Sequence, residues 1–217
     1  MKVNLTDKLK TRYPQATFGS LIIKEIPNRK KNDILEEKKL SLEQKIKRGQ
    51  IDANKDDIIK NYNGYFKKWK KTYPLRFQLE TIERGGKFPQ VSLLVDSMFL
   101  AELKNRILTS GHDLDEIKGN LIFDISKEAK EYLKLNGQTQ KLKKDDIILK
   151  DQKGILASIL YGPAKRTSIS LKTKNVLYFA WCPYQIKEGV MVNHLNDIVS
   201  SLKLAFKSLI PKIKNHC

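Results

Sequence analysis

Two short segments of this 217-residue chain hold the residue types best suited to chemistry. In Thr109-Ser110-Gly111-His112-Asp113 an imidazole stands next to a carboxylate. Imidazole titrates near neutrality, so a His beside an Asp could accept or donate a proton in a reaction. The same residues could also finish a helix. A cationic imidazole is favoured at a helix C-terminus, and Asp113 would then begin the next turn. The second segment is Tyr161-Gly162-Pro163-Ala164-Lys165-Arg166-Thr167. Gly162 and Pro163 force a turn whose backbone can come close to a ligand. Arg166 brings a planar fork suited to carboxylate or phosphate, and Thr167 brings a hydroxyl. An ordinary hairpin turn with solvated charges has the same composition.

The element that must position the first segment runs from Ser92 to Ile107. Leu94, Val95, Met98, Phe99, Leu103 and Ile107 recur at three-and-four spacing, which predicts a helix with one buried stripe. Ser92 is the expected N-cap and Gly111 the expected stop, so His112 and Asp113 are expected in a loop just past the helix end. Asp96, Glu102 and Asn105 are polar groups that a plain core helix would not need, which makes them candidates for a binding pocket.

Around this helix the pattern is segregated. Thr17 to Ile26 reads as a strand ended by Pro27, and Asn28 to Asn32 as a basic turn. Asp33 to Arg48 reads as a helix closed by Gly49. A second helix starts near Asp56 with a stripe of Ile59, Tyr62, Phe66 and Trp69, and a shorter one spans Leu75 to Arg84. After Gly119 come short β-type runs at Leu121 to Ile125, Tyr132 to Leu135, Ile147 to Leu149, Ile155 to Tyr161 and Val176 to Ala180. A closing helix is expected over Val192 to Ile210, ended by Pro211. Helices, then strands, then a helix make an α+β layout, not the alternation of a doubly wound fold. No linker or composition shift appears, so residues 1–217 are expected to form one domain.

The net charge is +18 and the isoelectric point about 9.7. An excess of that size favours a polyanion, of which nucleic acid is the commonest, although lysines scattered over every face for solubility would give the same sum. Lys67, Lys68, Lys70 and Lys71 fill the polar face of the second helix. With Arg29, Lys30, Lys31 and Arg76 they could form a continuous phosphate-binding surface, or simply a solvated one. The two cysteines, Cys182 and Cys217, offer neither a disulfide framework nor a metal-binding pair, which fits a reducing cytoplasm. No signal-like segment and no window of eighteen apolar residues occurs, so a soluble, cytoplasmic chain with no membrane partner is expected. Phosphate-binding loops, HExxH and GxSxG are absent, and three histidines make a three-His zinc site improbable. No metal and no cofactor are expected. Nothing in the sequence sets the oligomeric state.

Taken in order, Leu94 to Asn105, then Gly111-His112-Asp113-Leu114-Asp115, then Gly154 to Thr167, then Thr173 to Ala180, resemble the editing (B3/B4) domain of the phenylalanyl-tRNA synthetase β subunit, and more closely its stand-alone relatives. Phe66 to Pro89 and the N-terminal strand fit those relatives too, so the resemblance covers nearly the whole chain. It implies a three-layer α+β fold with helices on an unusual sandwich of strands. It implies hydrolysis, by water and without metal or covalent intermediate, of the ester joining a wrong amino acid to the terminal adenosine of a tRNA. His112, Asp113, Arg166 and Thr167 would then be catalytic, and Asp96, Glu102, Asn105, Gly162 and Thr173 would line the amino-acid pocket. The lysine-rich helices would hold the acceptor arm. The synthetase domain has its histidine near the position of Ser110, and its glutamate after the glycine turn has no counterpart among Gly162 to Lys165. A non-catalytic RNA-binding module, or a binder or hydrolase of a small amino-acid derivative, would suit the same fold.

Overall fold

The structure, a computed structural model, describes residues 1–50, 57–127, 130–206 and 209–216; Asp56 and Cys217, both part of the expectations above, lie outside them. The chain starts with β1 (Val3–Leu5), α1 (Asp7–Arg12) and β2 (Thr17–Ile23). Four helices follow: α2 (Asp33–Lys47), α3 (Asp57–Lys67), α4 (Pro74–Glu83) and α5 (Leu93–Asn105). Then come β3 (Thr109–Asp113), β4 (Leu121–Ile125), β5 (Glu131–Leu133), β6 (Thr139–Lys141), β7 (Ile147–Asp151), β8 (Gly154–Ser158), β9 (Gly162–Pro163) and β10 (Val176–Cys182). Helix α6 (Val190–Lys203) and strand β11 (Lys212–His216) complete the order. No helix among the described residues is long and apolar enough to cross a membrane.

The strands form two main sheets, β1-β4-β7-β8-β9 and β11-β2-β10-β3, with β5 and β6 as a separate pair. The four-stranded sheet is the middle layer of an α+β fold. On one face, Gly19 of β2 lies so near Met191 and Leu195 of α6 that a Cβ there would fall 2.7 Å from Met191 Cγ. On that same face Tyr178 of β10 donates its hydroxyl to the Leu94 carbonyl of α5 (2.9 Å). On the opposite face, the ring of Phe123 in β4 meets Phe18 at 4.3 Å, Phe179 at 5.1 Å and Trp181 at 6.1 Å between centroids. Strand β10 is therefore covered on both sides. Its run Val-Leu-Tyr-Phe-Ala-Trp-Cys is buried throughout, which is why it reads as continuous apolar sequence and not as alternation.

Helix α5 ends earlier than its sequence suggests, and not at Gly111. Arg106 takes the left-handed C-cap conformation (φ 57°), and its backbone N–H bonds to the Glu102 carbonyl. Ile107 and Leu108, both buried, lead straight into β3, which pairs antiparallel with β10 from Thr109↔Ala180 to Asp113↔Val176. Gly111 is thus mid-strand. A Cβ there would sit 2.7 Å from Ile169 Cδ1 and 3.3 Å from Met98 Sδ, so its glycine reflects close packing, not a helix stop. The closing helix also stops early, at Lys203, and the chain then adds the edge strand β11 along β2.

Candidate functional site

Because β3 is a strand, its side chains alternate between the two faces of the sheet. Ser110 and His112 face the five-stranded sheet, whereas Thr109 and Asp113 face away. His112 is wholly buried. Its Nδ1 lies 2.9 Å from the Thr167 hydroxyl and its Nε2 3.0 Å from the Ser110 hydroxyl. Thr167, also wholly buried, closes a one-turn 3-10 helix (Lys165–Thr167) that follows β9, and β9 packs beside β3. Two expected site residues from different segments are therefore joined, with Ser110 as a third member. Burial lowers the His112 pKa to about 3, helped by the Arg166 guanidinium and opposed by Asp151, so the imidazole is neutral at physiological pH.

The neighbouring carboxylate belongs elsewhere. Asp113 accepts from the Thr173 hydroxyl (2.6 Å) and from the Asp115 backbone N–H (3.1 Å), which fixes the end of β3. Adjacent positions on a strand point to opposite faces, so the expected His112–Asp113 pair does not form. Asp113 and Thr173 pair with each other instead. Arg166 makes an ion pair with Asp151, a buried carboxylate that also accepts from the backbone N–H groups of Lys118, Lys153 and Gly154. Gly162 adopts φ 81°, a left-handed conformation suited to glycine, and its carbonyl accepts from the Tyr132 hydroxyl (2.7 Å).

Asp96, Glu102 and Asn105 lie on the helical side of β3, so the sheet separates them from His112 and Thr167. The expected single pocket is divided into two networks. Asp96 reaches back to the backbone N–H groups of Val91 and Ser92, replacing the expected Ser92 cap, which makes no side-chain cap bond. It also pairs with Lys39 of α2 (3.1 Å), and both partners are almost fully buried. Glu102 accepts from the Thr109 backbone N–H (2.6 Å), and burial pushes its pKa up to about 8, so it carries a proton at neutral pH. Asn105 donates to Asp197 (2.8 Å) and lies 3.3 Å from His194 Nδ1. His194 Nε2 is 2.7 Å from the Thr109 hydroxyl, and burial lowers its pKa to about 4. The third histidine, His216, contacts the Ser20 hydroxyl (2.8 Å).

The basic candidates divide as well. Lys31 pairs with Asp33 (2.9 Å) and Arg76 with Glu80 (2.9 Å). Lys68 lies over the rings of Tyr13, Tyr65 and Tyr184, 5.0 to 5.8 Å from their centroids, and desolvation, then the nearby Arg12, lower its pKa. Lys71 stands 4.6 Å over the Tyr161 ring, one residue from Gly162. Lys30, Lys67 and Lys70 are exposed.

Sequence reasoning passed over Ser110, Asp151 and Asp146. Reading Thr109 to Asp113 at period two would have put Ser110 and His112 on one face. Asp146 is fully buried; it accepts from the Tyr65 hydroxyl (2.7 Å) and the Ser158 hydroxyl, and burial raises its pKa to about 7. Asp146 and Asp151 bracket the apolar run of β7, and carboxylates flanking a buried strand were the available signal.

Helices on one face of a four-stranded sheet, and a second sheet on the other, give the fold of a tRNA-synthetase fragment. The solved N-terminal fragment of the phenylalanyl-tRNA synthetase β subunit from Pyrococcus horikoshii aligns over 97% of this chain with a TM-score of 0.55 and 14% identity. The chain spans about half of that fragment's length, 50%. The B3/4 domain model matches residues 62–188, more than half of the sequence, and the chain belongs to that family. No curated protein matches it.

Proposed function

We propose that this chain is an aminoacyl-tRNA deacylase acting in trans in the cytoplasm, which hydrolyses the ester between a wrong amino acid and the terminal adenosine of a tRNA. The observation that best supports this reading is the Ser110–His112–Thr167 cluster beside the Gly162 turn, in a chain of the B3/4 family. A neutral imidazole has one N–H and one lone pair. One of the two hydroxyls must therefore accept from the ring while the other donates to it, so both are held in direction. With its pKa near 3, His112 is a positioning group and not the base.

In this reading a hydroxyl so held orients the water whose oxygen attacks the ester carbonyl, and the ribose oxygen leaves with a proton. The guanidinium of Arg166, held in place by Asp151, supplies the positive charge that stabilises the developing oxyanion. Editing by hydrolysis meets the need that arises when a synthetase pocket cannot reject a near-isostere. The test is release of amino acid from a panel of mischarged tRNAs, with Ser110→Ala and Thr167→Val alongside the parent chain. Release by the parent, reduced in both variants, is the expected result; no release from any tRNA in the panel overturns the reading.

The complete burial of His112 and Thr167 favours a second reading, a tRNA-binding module without turnover. It predicts salt-dependent tRNA binding, lost on Lys67→Glu/Lys70→Glu, with no hydrolysis in the same panel.

A further inference from the structure

A cavity of about 530 Å³ opens between α1, the outer face of β4 and β7, and the turn before β7. Five lysines line it: Lys8, Lys127, Lys130, Lys144 and Lys150. Among the described residues the lining carries two carboxylates, and both are engaged. Asp124 is bound by Lys150 at 2.6 Å, and Asp145 faces Arg12 at 3.6 Å. Its apolar wall includes Ile125 and Ile148, the latter nearly fully buried. A concavity with one sign of charge and a low-dielectric wall focuses the field and concentrates counter-ions. Lysine ammonium groups suit phosphate as point charges, without the planar demand of a carboxylate fork.

The cavity is tied to the candidate site by named contacts. Trp69, just past the end of α3, donates its indole N–H to the Lys144 carbonyl (3.2 Å), and Tyr13 donates its hydroxyl to the Asp145 carbonyl (2.7 Å). Lys68 lies over Tyr13 and Tyr65, and Lys71 over Tyr161, beside Gly162. Basic side chains therefore run from the Gly162 turn, across the end of α3, to the cavity.

We infer that this cavity binds successive backbone phosphates of an RNA strand whose 3′ end lies at the Gly162 turn. The inference rests on the tRNA reading above and adds to it a place for the strand. Phosphate contacts fix position without reading bases, which suits an enzyme that must accept a common terminal sequence.

The test is tRNA binding by fluorescence anisotropy across a potassium chloride series. It compares the parent chain with Lys130→Ala/Lys144→Ala and with a control pair of exposed lysines, Lys172→Ala/Lys203→Ala. The cavity pair should weaken binding roughly tenfold to thirtyfold, from two contacts at surface strength. It should also lower the salt slope by about 0.7 to 0.9 per lysine removed, with the control pair close to the parent. Hydrolysis of an aminoacylated adenosine, which has no phosphate chain, should be unchanged in the cavity pair. An unchanged slope in a pair whose parent binds and deacylates tRNA overturns the inference and leaves the proposed function standing. ATP binding by calorimetry that the cavity pair loses, with tRNA affinity intact, assigns the cavity to free nucleotide and also overturns it. If the parent binds tRNA without hydrolysis, deacylation fails while the slope still judges the cavity; if it binds no RNA, both fall.

Discussion

Replacing Glu102 with Gln separates a buried structural carboxyl from a charged group that could meet a substrate ammonium. Burial raises its pKa from 4.5 to about 8, and the Thr109 backbone N–H only partly offsets this. Between those values the folded chain holds a proton that the unfolded chain has released. Its contribution to stability is thus complete below about pH 4.5 and is lost as pH rises through 8, at about 1.4 kcal/mol per pH unit. His112 and His194 act in the opposite sense. Their folded values, about 3 and about 4, lie below the ordinary 6.5, so their contribution is complete above 6.5 and is lost as pH falls. Asp146, raised to about 7, works with Glu102 only up to that pH. Gln has no proton to lose, and its amide oxygen can still accept from Thr109. The stability difference between parent and Glu102→Gln, from urea unfolding, should therefore shift by about 1.5 to 2 kcal/mol in favour of the variant from pH 6.5 to pH 8. A difference that stays constant over that range would mean Glu102 is ionised throughout, and the burial argument would fail.

Two further expectations follow from the same geometry. Asp96→Ala leaves Lys39 paired with Glu36 (2.8 Å) but without its buried carboxylate, and leaves the Val91 and Ser92 N–H groups without theirs. It should cost about 2 to 4 kcal/mol in chemical denaturation, of which Lys39→Met/Asp96→Leu recovers only the part due to the buried ammonium; equal losses in both would refute the pair's role. In the deacylation assay, a neutral His112 predicts a rate profile without an imidazole limb near pH 6.5; such a limb in the parent that His112→Asn removes would contradict the positioning role.

Where local pattern and tertiary demand agree, the elements are legible in the sequence. Strand β4 falls on the expected run Leu121 to Ile125, and α2 and α4 lie within a residue or so of their apolar periodicity. Strand β10 is expected from Val176 and runs two residues further, to Cys182. The misses share a cause. Thr109 to Asp113 contains Ser, Gly and Asp, which favour turns, yet pairing with β10 and cover from both layers make it a strand. Strand β11, with Lys212, Lys214 and Asn215, has no apolar alternation to announce it and exists because β2 offers an edge. Val3–Leu5 is too short to signal a strand and is held by parallel pairing with β4.

The same misassignment governs how far the candidate site could be foreseen. In a loop, neighbours such as His112 and Asp113 can converge on one ligand; in a strand, they are sent to opposite faces. Once β3 is a strand, partners must be sought two residues away or across the sheet. That is where Ser110 and Thr167 stand, 3.0 and 2.9 Å from the imidazole. The residues that looked like companions, Glu102 and Asn105, serve the Thr109 face, where a second buried imidazole, His194, has its own hydroxyl and amide partners. One five-residue strand thus feeds two polar networks that share no side chain. A substitution at Ser110 or His112 should therefore disturb the proposed chemistry without moving the alkaline stability limb set by Glu102, and Glu102→Gln should do the reverse.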